Sequence, residues 1–322
     1  MNPSTPTARE WLLLLHQFPP KPAYLRVKVW RRLQALGAVA VKSAAYVLPD
    51  GEQAFEDFQW VRREIEEAGG EASVCRARFV DGLSDDQIEA LFNAARDADY
   101  AQIAEEARAA IEALPAGEAS VDARAQARRL RRRLEQVAAL DFFAAEGRNA
   151  AEGLLGALEG RGAAESAPAS PPATLSPADY RGRTWVTRAG IYVDRMASAW
   201  LVRRFVDPAA RFKFVAGDDY RPRTGELRFD MYEGEFTHEG DRCTFEVLLE
   251  RFRLADPSLG PIAEIVHDID MKDGKFRREE APGIAALLSG VRAGQPDDDA
   301  RLAQAEAIFD GLYEQFSRQR RV

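Results

Sequence analysis

Hydrophobic and polar positions in the first eighty residues follow two alternating periods. Apolar runs with strand character cover residues 11–15, 39–48 and 72–80. Between them, residues 24–36 and 52–68 place their apolar side chains at helical spacing, and glycines follow both segments. The pattern therefore predicts strand, helix, a strand or bent strand pair, helix and strand.

This β-α-β-β-α-β order is the ferredoxin-like plan, so residues 1–82 are predicted to form a ferredoxin-like domain. The alternative is a winged-helix-like domain in which the helix over 24–36 would be the recognition helix. The ferredoxin-like interpretation is favoured because both helices separate strand-like runs.

The following residues, 83–160, are alanine-rich and helical in pattern, and the stretch 120–140 within them holds six arginines. Three apolar residues form a stripe at i, i+4 and i+7 on that stretch: Leu130, Leu134 and Val137. We expect a helical extension in which this basic helix packs one side and presents arginine on the others. Residues 161–178, rich in Ala, Ser and Pro, predict a linker.

The last segment, residues 179–322, mixes the two periods again. Short strands are predicted over 184–192, 212–215 and 227–231, and a helix over 195–205. Helical spacing dominates the remainder. The fold class expected for the whole chain is α+β or mixed, and its C-terminal domain is a mixed α/β domain rich in helices.

Composition limits the environment and the partners. The chain has 322 residues, 46% hydrophobic, and no apolar run of the length that crosses a bilayer. Its first residues lack the basic start and apolar core of a secretory signal, so a cytoplasmic protein without membrane contact is expected. A net charge of −8 opposes nucleic-acid binding over the whole surface but permits a local basic patch. Cys75 and Cys243 lie far apart, so no structural disulfide is expected.

Histidine is scarce, and two of the three imidazoles lie among carboxylates near the C-terminus. His238 occurs in the sequence FTHEGDRCTFE (236–246) and His267 in EIVHDID (264–270). Histidine binds transition metals and moves protons near neutral pH. This concentration predicts that the functional site lies in the C-terminal domain.

Three motifs carry a family resemblance: IYVDRMASAWLVRRFVDP (191–208), EFTHEGDRCTFEVLL (235–249) and IVHDID (265–270). Together they resemble the chromate resistance protein ChrB family, and the order of segments matches a full-length member with N- and C-terminal ChrB domains. The first domain is also similar to small CRISPR-associated spacer-integration proteins and to a domain of phenylacetate-pathway repressors. The resemblance implies a chromate-responsive transcriptional regulator encoded with a chromate efflux transporter, and it supplies no catalytic residues.

A metal site is predicted from His238, Glu246, His267 and Asp270, a donor set that suits zinc, iron or manganese. Cys243 is a further candidate ligand or redox thiol, or a small buried residue at a helix start. The alternative is a turn histidine and helices with solvated charged faces. A di-iron bundle would need a second Glu-x-x-His, which the sequence lacks. No nucleotide cofactor is expected, because glycine-rich and phosphate-loop fingerprints are missing.

An oxyanion site is predicted at the start of the helix over 195–205. Free N–H groups at a helix N-terminus favour anions, and Arg188, Arg195 and Ser198 could complete a pocket for chromate or a related oxyanion. Asp194 is expected to cap the same helix.

DNA contact is predicted through basic residues on two helices: Lys28, Arg31, Arg32, Arg124, Arg128, Arg131 and Arg132. The alternative is that these are solvated faces, since no helix-turn-helix pattern, zinc finger or aromatic stacking platform accompanies them.

Three functions remain open. The first is a DNA-binding sensor, expected to be a homodimer because paired half-sites need paired readers. It would respond to chromate through a metal or oxyanion site. The second is a metal-dependent enzyme or accessory protein of chromate resistance that reduces or detoxifies an oxyanion. The third is an adaptor without a ligand.

Overall fold

The computed structural model describes residues 9–19, 21, 24–113, 121–163, 175–215, 220–231, 234–295 and 297–319. Within these ranges the chain forms ten α-helices and seven β-strands, which confirms the predicted mixed α+β class. None of the described helices combines the length and the apolar character needed to cross a membrane. The chain divides into two compact units: unit 1 is drawn from Met1–Asp99 and Glu135–Ala145, and unit 2 from Tyr100–Leu134 and Glu146–Val322.

Unit 1 contains the predicted β-α-β-β-α-β order. Its elements are β1 (Trp11–Gln17), α1 (Tyr24–Ala35), β2 (Val39–Lys42), β3 (Ala45–Pro49), α2 (Glu52–Glu67) and β4 (Glu71–Ala77). The four strands form an antiparallel sheet in the order β2-β3-β1-β4. This topology confirms the ferredoxin-like interpretation over the winged-helix one.

The periodicity that predicted these elements also sets which side chains are buried. On α1 the buried residues are Leu25, Val29 and Leu33, and on α2 they are Phe58, Val61 and Ile65. They share one core with Trp11, Leu12 and Leu14 of β1. Each helix therefore covers the sheet with one apolar stripe, as an amphipathic helix does.

Unit 2 holds most of the helices. The elements that follow β4 are α3 (Asp85–Ala113), α4 (Val121–Ala138), α5 (Gly147–Ala163), a 3₁₀ turn (Pro177–Tyr180), β5 (Thr184–Arg188), α6 (Val193–Leu201), a π-helical turn (Val202–Val206), β6 (Arg211–Val215), β7 (Glu226–Arg228), α7 (Thr244–Arg251), α8 (Leu259–Asp270), α9 (Ala281–Gly294) and α10 (Asp298–Gln319). The boundary between the two units falls within α3 and again within α4. Strands β5, β6 and β7 form a parallel sheet in the order β6-β5-β7.

Helix α6 lies in the centre of the unit 2 core. All nine of its residues are buried, including the polar Asp194, Arg195 and Ser198. Trp200 stacks with Phe245 of α7 at a ring-centroid distance of 6.4 Å, so it is a core residue. A helix that is buried on every side carries its polar residues into the interior, where each needs a partner.

The compact units differ from the predicted domain boundaries. Residues 83–160 were predicted to form a helical extension, and those domain boundaries stay a prediction; within these residues, α5 belongs to unit 2. The reason is burial: Ala150 packs in the same core as Trp185, and Asn149 is hydrogen-bonded within that unit. The first three residues of the predicted linker, 161–178, extend α5, and most of the others lie outside the described residues.

Neighbouring leucines on β1 give a test of the sheet register. Leu14 is fully buried, whereas Leu15 is 44% exposed. We predict that Leu14→Ala lowers the free energy of unfolding by about 2–5 kcal/mol, because it leaves a cavity. The matched Leu15→Ala should change it by no more than about 0.5–1 kcal/mol. Urea denaturation followed by circular dichroism measures both, and equal losses would mean that β1 faces the core in another register.

Candidate metal centre

The site begins with the carboxylate of Asp194. This residue was expected to cap its own helix, and it does not. Helix α6 starts at Val193, and its N-cap is Tyr192, so Asp194 already lies inside the helix. Its oxygens accept hydrogen bonds from the backbone N–H groups of Thr244 (2.8 Å) and Phe245 (2.9 Å). Asp194 therefore caps α7, fifty residues further along the chain.

Three carboxylates converge on one nitrogen of a buried histidine. His238 Nε2 lies 3.1 Å from Asp194 Oδ2, 3.4 Å from Asp230 Oδ1 and 3.3 Å from Asp270 Oδ2. The side chains of His238, Asp194 and Asp230 are all at least nine-tenths buried. One N–H group can serve only one of these acceptors well, so the negative charge exceeds what the imidazole can neutralise. We refer to these four residues as the aspartate cluster.

Neutral and cationic donors hold Asp230 in place. Its Oδ1 accepts hydrogen bonds from Thr244 Oγ1 (3.0 Å) and from Asn149 Nδ2 of α5 (2.9 Å). Its Oδ2 forms an ion pair with Arg195 Nε at 3.3 Å. The backbone of Asp230 has a φ of 45°, which is unusual for a residue other than glycine. Asp230 lies two residues past the end of β7, and its Oδ1 lies 3.4 Å from His238 Nε2.

The loop that carries His238 packs closely on α5 at Gly153. A Cβ atom at this position would lie 3.0 Å from His238 Cβ and 3.2 Å from the carbonyl oxygen of Gly240. Real Cβ atoms rarely come so close, so glycine is what permits the approach. Helix α5 thus contributes both a hydrogen bond and a contact surface to the aspartate cluster.

The protonation of the aspartate cluster follows from its crowding. Burial by itself would lower the pKa of His238, but hydrogen bonds to Asp194 and Asp230 outweigh it and raise the pKa well above the usual value. Burial, assisted by the charges of Asp194 and Asp230, raises the pKa of Asp270 well above its usual range. For Asp230, Arg195 and His238 outweigh burial and lower the pKa. The cluster therefore retains protons near neutral pH, and a metal ion would compete with them.

A second cluster surrounds His267, whose side chain is fully buried. Its Nδ1 lies 2.7 Å from Glu246 Oε2, and its Nε2 lies 3.2 Å from Asp273 Oδ1. Glu246 also accepts the backbone N–H of Cys243 at 3.0 Å. Burial would lower the pKa of His267, but Glu246 and Asp273 outweigh it and raise the pKa. We refer to His267, Glu246, Asp273 and Cys243 as the His267 cluster.

The four predicted metal ligands thus fall into two groups. His238 and Asp270 lie in the aspartate cluster, and Glu246 and His267 lie in the His267 cluster. The reason is that Glu246, at the third position of α7, turns back to the helix start instead of reaching His238. Cys243 Sγ lies within 4.8 Å of ligand atoms of Glu246 and His267. The thiol is free and buried, and burial raises its pKa well above the usual value. Metal binding by either group stays a prediction.

Two carboxylates were missed as site residues. Asp230 gave only one signal, a lone acidic residue inside the strand predicted over 227–231, and its partner histidine lies beyond the next turn. Asp273 lies past the end of α8, just before Gly274, which has a φ of 65°. A glycine-containing turn after a helix indicates a reversal of the chain, but not which side chain the reversal reaches.

The predicted oxyanion residues are engaged by aspartates. Arg195 Nε forms an ion pair with Asp230 Oδ2 at 3.3 Å and donates to the backbone carbonyl oxygen of the same residue at 3.2 Å. Ser198 Oγ donates to Asp194 Oδ1 at 3.2 Å. Arg188 is also buried, and its charge acts on Asp230. The oxyanion site stays a prediction, and the negative groups around these residues favour a cation over an anion.

The predicted DNA contacts are partly neutralised by acidic side chains in both units. In unit 1, Lys28 and Arg32 both pair with Glu64, at 2.6 and 3.0 Å, whereas Arg31 is exposed. In unit 2, Arg131 pairs with Glu159 at 2.6 Å. Arg124, Arg128 and Arg132 are exposed on α4. Arg31, Arg128 and Arg132 are the stronger candidates for phosphate contacts, because they are exposed and are not in an ion pair with the acidic side chains named above.

The geometry defines a class of site: a buried histidine–carboxylate centre with the donor atoms that transition metals prefer. Comparison with known proteins then identifies the family. Residues 26–163 match the family model "Protein ChrB, N-terminal", and residues 185–316 match "ChrB, C-terminal domain". The chain is 33% identical to "Protein ChrB" of Cupriavidus metallidurans over 99% of this chain and 98% of that protein. No solved structure matches. The chain belongs to the ChrB family, which is associated with chromate resistance.

The cap at α7 predicts a large effect of a small substitution. Asp194→Asn places an amide where two backbone N–H groups and His238 need an acceptor, so one donor is left buried without a partner. We predict a loss of about 2–4 kcal/mol in the free energy of unfolding. The control is Asp179→Asn, at an exposed aspartate of the same unit, which should change it by about 0.5 kcal/mol or less. Urea denaturation in the presence of a chelator measures both, and a neutral Asp194→Asn would contradict the cap.

Proposed function

We propose that this protein is a chromate-responsive transcriptional regulator of a chromate-resistance operon. It holds a divalent transition metal, zinc, iron or manganese, in the aspartate cluster, and it contacts promoter DNA through exposed arginines. One observation supports the metal above all: three carboxylate oxygens, two of them from the buried Asp194 and Asp230, lie within 3.4 Å of His238 Nε2.

The spacing of these atoms fits a metal ion. Ligand atoms bound tetrahedrally at about 2.0–2.1 Å lie about 3.3 Å apart. The ligand atoms of Asp194, Asp230 and His238 lie within 4.8 Å of one another. Their separations from His238 Nε2 are 3.1 Å for Asp194 and 3.4 Å for Asp230. Asp270 Oδ2 lies 3.3 Å from the same nitrogen but outside this three-residue group. The donor set of one imidazole and carboxylates suits manganese, iron and zinc.

A metal at this position can act as a signal, because the ligands come from separate elements. Asp194 belongs to α6, Asp270 ends α8, Asp230 follows β7, and His238 lies in the loop before α7. Binding of an ion fixes these elements against one another. A ligand shifts the equilibrium between two arrangements of a protein only when it binds one of them more tightly. A metal ion that needs ligands from all four elements binds only the arrangement that brings them together, so it meets this condition.

A second candidate function is a metal-dependent enzyme or accessory protein of chromate resistance. A cavity of about 10 Å³ adjoins the cluster and is lined by Glu146, Asn149, Tyr192, Val193, Asp194, Arg195, Asp230 and Asp270. This is close to the least space that holds one water molecule, which could occupy an open coordination position. Chromate consumption by the metal-loaded protein with an added reductant would favour this candidate.

Elemental analysis of the purified full chain tests the metal. After reconstitution with zinc, iron or manganese and removal of the excess, we expect about one bound ion per chain. His238→Gln should abolish this binding, and the matched His267→Gln should keep it. The absence of bound metal in the wild-type protein would reject the proposal. Loss of bound metal in His267→Gln but not in His238→Gln would assign the ion to the His267 cluster instead.

A mobility-shift titration with promoter duplex tests the DNA contact, with and without chromate. Arg128→Ala/Arg132→Ala removes two exposed charges from α4. It should weaken binding and reduce the slope of log K against log salt by about 2. Arg221→Ala/Arg318→Ala removes the same charge at exposed positions elsewhere and should leave the slope unchanged. Duplex binding that ignores chromate, or no duplex binding at moderate salt, would contradict the regulator. Sedimentation of the complex reports whether a homodimer binds.

A further inference from the structure

Unit 1 contains a cavity that neither the metal centre nor the basic helix explains. It lies where the end of β1 and the turn between β2 and β3 meet α1, and its volume is about 310 Å³. That is within the range of pockets that bind small organic molecules. Its walls include four rings and two other polar side chains: His16, Phe18, Trp30, Tyr46, Arg26 and Ser43.

The rings of this pocket form a surface suited to a flat ligand. The imidazole of His16 lies 4.4 Å from the Phe18 ring and 5.7 Å from the Tyr46 ring, the latter at an interplanar angle of 27°. Trp30 is 51% exposed although it is large and apolar. A half-exposed tryptophan beside a cavity offers a face on which another ring can stack.

His16 supplies the hydrogen-bonding groups. Both ring nitrogens, Nδ1 and Nε2, are buried and have no hydrogen-bond partner within the part of the chain that the structure describes. Burial lowers the pKa of His16, so the imidazole is neutral at pH 7 and has one donor and one acceptor. Buried polar atoms without partners are uncommon in folded proteins and call for a ligand or water.

The charge at the pocket is positive. Arg26 is the charged residue among its described lining residues, and Arg31 lies on the same helix, α1, and is exposed. A guanidinium at the mouth of a pocket can form paired hydrogen bonds with a phosphate. The pocket thus combines ring faces, an imidazole without hydrogen-bond partners in its wall, and an arginine that can bind phosphate.

We propose that this pocket binds the base of a nucleotide, either a free nucleotide or an unpaired base of a nucleic-acid strand. Base edges carry donors and acceptors that match a neutral imidazole, and base faces stack on aromatic side chains. A purely apolar ligand would leave His16 unsatisfied, and a bare oxyanion would not use the rings. This site does not depend on the metal centre or on duplex binding by α4.

Calorimetric titration of the full chain tests the pocket with defined probes. The probes are the four nucleoside monophosphates, a short single-stranded oligonucleotide, and ribose 5-phosphate as the matched ligand without a base. We expect a monophosphate, the oligonucleotide or both to bind, and ribose 5-phosphate to bind at least tenfold more weakly, since stacking is lost. Binding of the monophosphate indicates a free nucleotide as the source, and binding of the oligonucleotide alone indicates a strand.

Two variants locate the binding. Trp30→Ala and His16→Leu should each weaken it by roughly tenfold or more. The control Trp60→Ala removes a tryptophan of similar exposure, 48%, from the same unit but outside the pocket, and should bind as the wild type does. Circular dichroism checks that the variants fold. The proposal is overturned if none of the base-containing probes binds, if ribose 5-phosphate binds equally well, or if Trp30→Ala and His16→Leu both retain full affinity.

Discussion

The structure of unit 2 depends on how a buried carboxylate is satisfied. Asp194 enters the core because α6 is buried on every side, and a carboxylate there is stable only when donors surround it. The start of α7 provides two N–H groups, and His238 and Ser198 provide two further contacts. The same interaction therefore joins α6 to α7 and orients the histidine. The contacts that pack the core around α6 are therefore also the contacts that assemble the centre.

The sequence allowed much of the fold to be predicted because its two periods are clear in most segments. In unit 1 each helix has one apolar stripe and is followed by a glycine, so the helices and the strand segments between them could be predicted. The turn between β2 and β3 is Ser43-Ala44, without glycine or proline, and residues 39–48 were therefore left open as a strand or a bent strand pair. Prediction was less accurate at α6, where the expected start was Arg195 and the observed start is Val193. A helix without a polar face has no amphipathic phase, so its ends cannot be located from periodicity.

The centre could be predicted only in part. His238 and His267 were singled out because histidine is scarce and both lie among acids, and each is indeed buried against carboxylates. The partners were harder to predict because they depend on tertiary packing. Asp230 reaches His238 through the parallel sheet and an unusual backbone turn, and Asp273 reaches His267 only after the chain reverses. Spacing along the sequence gives neither the Asp230–His238 distance nor the Asp273–His267 distance. The residues of two clusters were therefore predicted to form a single site.

The close packing of Gly153 on His238 limits how the two family regions can be combined between relatives. Gly153 and Asn149 lie in the region that matches the N-terminal family model, and His238 and Asp230 lie in the region that matches the C-terminal one. A larger residue at position 153 would displace the imidazole, and a different residue at 149 would leave Asp230 without its amide donor. The two regions are therefore coupled at these contacts: a hybrid assembled from two relatives would retain an intact centre only if the residues at these four positions fit one another.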